Sequence, residues 1–250
     1  MRAPTGGRGW IERRAIITVA TILFVALPMS PFPAQAGATK CSGRETDPDC
    51  ALYVIARKCV DTSDPDYCSA CPSPRAGYCP GASTCEKTTE VWTGTSRMIA
   101  IRDRTMCTCP EVIHGLVIPT GAVTGVEDPD RPPAIWLLAS KAAEAAGLTV
   151  DQTALIANPP DHRTQNQLHI HVLPIDPAKV TSLETTPSVT VADLKGVWQA
   201  ADALAASNGM TSFGIVVHRS GVAWHVHVAD APLPEAYTRL PDCARTIRKR

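Results

Sequence analysis

Two histidines separated by a single residue, His169 and His171, stand in the run Arg163-Thr-Gln-Asn-Gln-Leu-His-Ile-His-Val-Leu-Pro-Ile175. Apolar Leu168, Ile170 and Val172 alternate with Gln167, His169 and His171, the pattern of a half-buried β-strand carrying its chemistry on one face. Side chains two apart on a strand lie about 6.5–7 Å from each other. Two imidazoles at that spacing can flank one phosphate-sized group. Imidazole is also the side chain that exchanges protons near neutral pH, so the pair reads as a site.

The remaining histidines compete for the same role. His225 and His227 alternate in Trp224-His-Val-His-Val228, but without a polar lead-in and opposite the apolar Val222, Trp224, Val226 and Val228. They read as exposed strand positions, with a metal site shared with His218 as the alternative. His114 shares a strand face with Val112, Leu116 and Ile118, and reads as a buried, hydrogen-bonded residue beside Gly115, where a ligand can come close to the backbone. No Gly-x-Ser-x-Gly elbow, Gly-rich phosphate loop or clustered carboxylate pair is present. Histidine therefore has to carry the chemistry.

These residues must be positioned by strands and two principal helices. Met98–Ile101, Val112–Pro119, Thr153–Ala157 and Gln167–Leu173 are expected strands. Asp128-Pro-Asp-Arg-Pro-Pro opens a helix with a stripe of Ile135, Leu138, Ala142 and Ala145 that Gly147 stops. Thr190 as N-cap, with Asp193 three residues on, begins a second helix with Leu194, Val197, Trp198, Ala201 and Leu204 inward, ended by Asn208-Gly209. A polar linker precedes it. A hairpin of Thr211–Val217 and Val222–Val228 turns at Ser220-Gly221. Antiparallel pairing of the strands on either side of Asn158–His162 carries Asn158 to the histidine face. The class is α+β.

The chain of 250 residues is neutral overall and 44% apolar, a balance that supports a core and points to no nucleic-acid surface. Arg13 and Arg14 precede an apolar run from Ala15 to Met29 and the small-x-small pattern Ala34-Gln35-Ala36. Residues 1–36 read as a signal peptide, with an uncleaved anchor as the alternative. All ten cysteines follow it, seven of them between Cys41 and Cys85, the mark of a disulfide framework in an exported chain rather than of zinc. Residues 37–95 form this cross-linked segment, with a short helix over Ala51–Val60, and 96–250 the catalytic domain.

The Gln167–Leu173 run resembles the histidine triad superfamily, and Arg163-Thr-Gln-Asn with His169 and His171 is closer to the bacterial CDP-diacylglycerol pyrophosphatase family. His114-Gly-Leu-Val-Ile-Pro119, the acidic-proline helix entry with Trp136, and Cys243 also resemble that family. The resemblance implies a histidine triad-like antiparallel sheet that hydrolyses CDP-diacylglycerol to CMP and phosphatidate at a membrane surface. It needs no cofactor or metal. It gives His169 the place of the nucleophile, His171 that of the last triad histidine, and Gln167 that of the first. His114 compensates for Gln167 at the phosphate site.

The chemistry agrees: a pyrophosphate is split by a nucleophile, charge neutralisation and proton transfer. Neutral His169 can attack phosphorus if a backbone carbonyl holds its other nitrogen's proton. His171 and Arg163 offset charge, while Asn158, Gln165, Asn166 and Gln167 orient oxygens. Alternatives are a hydrolase of soluble nucleotides and a non-catalytic exported module that binds nucleotides or metals. An exported, periplasm-facing location suits the lipid substrate.

Overall fold

A computed structural model describes residues 39–60, 62–63, 90–103, 113–183, 185–231 and 233. Its centre is one eight-stranded sheet in which all neighbours are antiparallel. In chain order the strands are β1 (Val91–Thr95), β2 (Met98–Arg102), β3 (Gly115–Pro119), β4 (Thr153–Ala157), β5 (Ile170–Pro174), β6 (Ser188–Val191), β7 (Gly214–Ser220) and β8 (Ala223–Ala229). Across the sheet they run β1-β2-β3-β5-β4-β7-β8-β6. The helices are α1 (Ala51–Val60), α2 (Ile135–Ala145), α3 (Pro177–Leu183) and α4 (Val197–Ser207).

Strand alternation divides the core between the two faces. On one face Val117, Leu155, Ile170, Val172 and Val217 join the inward stripes of α2 and α4, including Trp136 and Trp198. Arg131, just ahead of α2, clamps Asp202 of α4 through two hydrogen bonds of 3.0 and 2.9 Å. The opposite face carries two smaller apolar patches. Ile99, Ile101, Leu116 and Ile118 lie with Ile55, Ala56 and Cys59 of α1; Ala154, Ile156, Leu173 and Val216 lie with Leu183 and Leu233. His171 pairs with Leu116 on one side and Ile156 on the other. The histidine strand thus crosses that face where the two patches meet.

Several boundaries differ from those expected. The central strand starts at Ile170 rather than Gln167, because Leu168 N–H turns to the Val123 carbonyl at 2.6 Å. Thr190 caps no helix and lies in β6; the cap is Asp193, which accepts from Lys195 N–H ahead of a 3-10 turn that leads into α4. The stretch expected as a polar linker contains α3 and β6. The hairpin of β7 and β8 turns at Gly221, whose φ of 61° suits glycine. His227 is only 5% exposed and His225 half-buried, so neither is the exposed strand position expected. Pairing of β6 to β8 and the hydroxyl of Thr186, 3.1 Å from His227 Nδ1, cover that surface.

The segment ahead of residue 96 supplies α1 and β1 to this same layered unit, and Cys41–Cys50 is a disulfide within it. Cys59 is disulfide-bonded as well. β1 escaped sequence reading because it holds Gly94 and a register shift between Val91 and Thr93. Residues 1–36 and Cys68, Cys71, Cys79, Cys85, Cys107, Cys109 and Cys243 lie outside the described residues. No described helix is long and apolar enough to cross a membrane.

Candidate active site

His169 stands one residue before β5, on the face away from α2. Its Nδ1 lies 2.8 Å from the Gln167 carbonyl oxygen. A carbonyl only accepts, so Nδ1 carries the proton and the Nε2 lone pair is left for chemistry. Burial pushes the His169 pKa down. The Gln167 carbonyl and Asp103 work against that, while Arg163 and His114 add to it. The net shift is downward, which keeps the ring neutral at neutral pH. The His171 ring meets it edge-on, with centroids 4.8 Å apart and planes at 68°.

Behind His171 lies a chain of polar groups. His171 Nδ1 is 2.9 Å from His114 Nε2, the two rings are stacked, and His114 Nδ1 is 3.6 Å from Asp103 Oδ1. On its other side, His171 Nε2 is 3.4 Å from Asn158 Nδ2, and Asn158 Oδ1 accepts from Leu233 N–H at 3.3 Å. That backbone donor fixes the amide, since only the oxygen can accept. Nδ2 must then face His171 as donor, His171 Nε2 must accept, and its Nδ1 proton must point to His114. One assignment satisfies every bond. The chain ends at a carboxylate suited to stabilise an imidazolium at His171.

His114 is 2% exposed and sits behind His171. It was expected to compensate for Gln167 at the phosphate site; in the structure its Nε2 contacts His171 Nδ1. Gly115 gives no room to a ligand, because the Trp92 ring occupies the space where its Cβ would be.

The polar lead-in serves the chain more than a substrate. Both Arg163 guanidinium ends bind Glu127, at 2.7 Å each, with side chains only 6% and 19% exposed. Its charge is therefore matched within the protein. Gln165 accepts from Leu52 N–H of α1 and donates to the Pro48 carbonyl, both at 3.1 Å. Asn166 N–H reaches the Asp49 carbonyl at 2.7 Å. Gln167 spends both amide hydrogens on the carbonyls of Pro119 and Gly121, at 2.8 Å each. It has no donor left for a phosphoryl oxygen. The disulfide-held turn and α1 thus brace the loop that delivers His169.

The structure accordingly brings His169, His171, His114 and Asn158 together and turns Arg163, Gln165 and Gln167 toward neighbouring chain segments. Sequence reading missed Asp103, Glu127 and the Leu233 backbone. Gly125 was missed too: a Cβ there would collide with the Arg163 guanidinium and crowd Glu127. Only Glu127, one residue before the acidic-proline entry, carried any local signal. The assembled groups offer a neutral nucleophile, a neighbouring base backed by a carboxylate, and a neutral amide donor, a set suited to transfer of a phosphoryl-type group.

Among known protein families, the model described as CDP-diacylglycerol pyrophosphatase matches residues 109–208, which contain His114, Asn158 and the whole Arg163–His171 run. No curated protein matches the chain.

Proposed function

Because residues 109–208 match the CDP-diacylglycerol pyrophosphatase family model, we propose that the chain is a hydrolase of that family and cleaves CDP-diacylglycerol through a covalent intermediate on His169. The Nε2 lone pair attacks the phosphorus joined to cytidine. An N–P bond forms, the bond to the bridging oxygen breaks, and phosphatidate leaves with that bond's electron pair. Water then attacks the cytidylyl-histidine, its proton passes to His171 Nε2, and CMP departs as His169 regains its lone pair. The imidazolium formed at His171 is stabilised through His114 toward Asp103, and Asn158 Nδ2 is in reach to orient the water or a phosphoryl oxygen.

The observation that carries this reading is the 2.8 Å contact of His169 Nδ1 with the Gln167 carbonyl. It fixes the tautomer that makes Nε2 nucleophilic, and burial of the ring favours its neutral form. Further support for an exported enzyme acting on lipid at a periplasm-facing membrane surface comes from the Cys41–Cys50 disulfide, a bond of oxidising compartments, and from the apolar run of Ala15–Met29.

Product analysis with CDP-diacylglycerol in detergent, using wild type and His169→Ala, tests the proposal. Rapid quenching of wild type with substrate labelled in the cytidylyl phosphate should trap an acid-labile adduct that the variant lacks. A His169→Ala protein that hydrolyses at the wild-type rate would overturn it. Binding without turnover in wild type would instead favour a non-catalytic module.

A further inference from the structure

A second histidine group lies on the same sheet face, away from the chemistry described above. β7 and β8 place His218 opposite His225 and Val216 opposite His227. His218 and His227 are 7% and 5% exposed, and their Nε2 atoms face each other at 3.2 Å. The ring of His225 lies 5.2 Å from that of His218 and 6.5 Å from that of His227. In register, Ile156 and Val216 stand between His171 and His227. The two groups are therefore about 14 Å apart, three strand spacings.

We propose that His218, His227 and His225 form a site for a divalent transition-metal ion such as zinc, two ligands being already in place. Metal–nitrogen bonds of about 2.0–2.1 Å at the tetrahedral angle put ligand nitrogens roughly 3.3–3.4 Å apart. The Nε2 pair, hydrogen-bonded at 3.2 Å, is slightly closer than that and would open by about 0.1–0.2 Å to admit an ion. The outer shell is also built. His227 Nδ1 contacts the Thr186 hydroxyl, which itself donates to the Leu183 carbonyl at 2.7 Å. Thr186 must then accept from Nδ1–H, and His227 Nε2 is left with its lone pair facing His218, the arrangement that second-shell partners impose on ligating histidines.

As the side chains stand, no group of three or more His, Cys, Asp or Glu among the described residues could hold a metal ion. His225, half-buried and nearest solvent, closes the set by turning its ring toward His227, and it offers the way in. A metal takes the neutral ring. Separated from His171 by two intervening strands, the ion would clamp the β7–β8 hairpin to the turn after α3 and take no part in hydrolysis.

The test is a cobalt(II) titration of untagged, chelator-stripped full-length protein, read from visible d–d absorption, with zinc competition by calorimetry. One ion per chain is expected in wild type and in His171→Asn. Binding should be lost in His218→Asn and His227→Asn, and weakened about 10–100-fold in Thr186→Val, which removes only the outer-shell partner. Thr186→Val and His225→Asn keep the test decisive should the buried-histidine variants fail to fold. Absence of a stoichiometric complex, full affinity in Thr186→Val and His225→Asn, or loss of the complex in His171→Asn would overturn the proposal.

Discussion

Removing the His114 ring separates two roles that its position near the reaction could serve. Its Nε2 accepts from His171 Nδ1 at 2.9 Å in a site closed to solvent. His114→Ala deletes the acceptor and leaves a buried donor unmatched, at a cost of about 1–3 kcal/mol. Expressed only in the transition state, where His171 becomes an imidazolium, that is a loss of roughly 5- to 150-fold in kcat. KM should stay near the wild-type value, since the ring lies behind His171. His114→Gln places an amide oxygen where Nε2 was and should recover most of the rate. Steady-state kinetics on CDP-diacylglycerol in mixed micelles, with circular dichroism to confirm folding, measures both parameters. A variant with unchanged kcat and raised KM would refute the orienting role and place His114 against substrate. Failure of the glutamine variant to recover any rate while folded would refute the hydrogen-bond argument.

Other expectations follow from the same geometry. Glu127→Gln strands a buried guanidinium and should cost about 3–5 kcal/mol, lowering Tm by roughly 6–20 °C at about 2–4 °C per kcal/mol; Glu127→Gln with Arg163→Met should regain much of it, read by calorimetry. Burial raises the Glu127 carboxyl pKa, but the Arg163 hydrogen bonds and charge outweigh this and hold it below its usual value of 4.5. The wild-type advantage is therefore full above that value and fades as pH falls through the lower folded-state pKa, so a gap between the two proteins that persists far into acid would contradict the ion-pair account. Gly125→Ala should destabilise through the same ion pair by about 1–3 kcal/mol, measured by urea unfolding. Since His169 must be neutral to attack and its pKa lies below 6.5, the acid limb of kcat/KM attributable to this ring should fall below that pH. Gln165→Ala, which strips the acceptor from Leu52 N–H, should cost about 1–3 kcal/mol and lower activity with it; an unaltered unfolding curve would argue that the α1 brace is slack.

The legible part of the molecule is the part written in local pattern. α2, β2, β4, the hairpin turn at Gly221 and the helix over Ala51–Val60 all follow from periodicity and stop residues. So does the meeting of Asn158 with His171, because β4 and β5 are antiparallel neighbours. What could not be read is which polar groups face substrate and which face the chain. Arg163, Gln165 and Gln167 look alike in sequence, yet each is committed to a partner distant along the chain: Glu127, Leu52 and the carbonyls of Pro119 and Gly121. Asp103 was invisible for the same reason, its link to His114 depending on the pairing of β2 with β3. The burial of His227 was equally hidden, since it needs β6, a strand of only four residues, three of them exposed, so that its alternating Val189 and Val191 mark no core face.

The Leu233 amide that holds Asn158 in place comes 75 positions later in the chain. A growing polypeptide can therefore possess every reactive ring of this centre while its side-chain amide is still free to turn. Competence arrives late, with a piece of main chain that performs no chemistry of its own, so activity should report completed folding rather than the mere presence of the histidines.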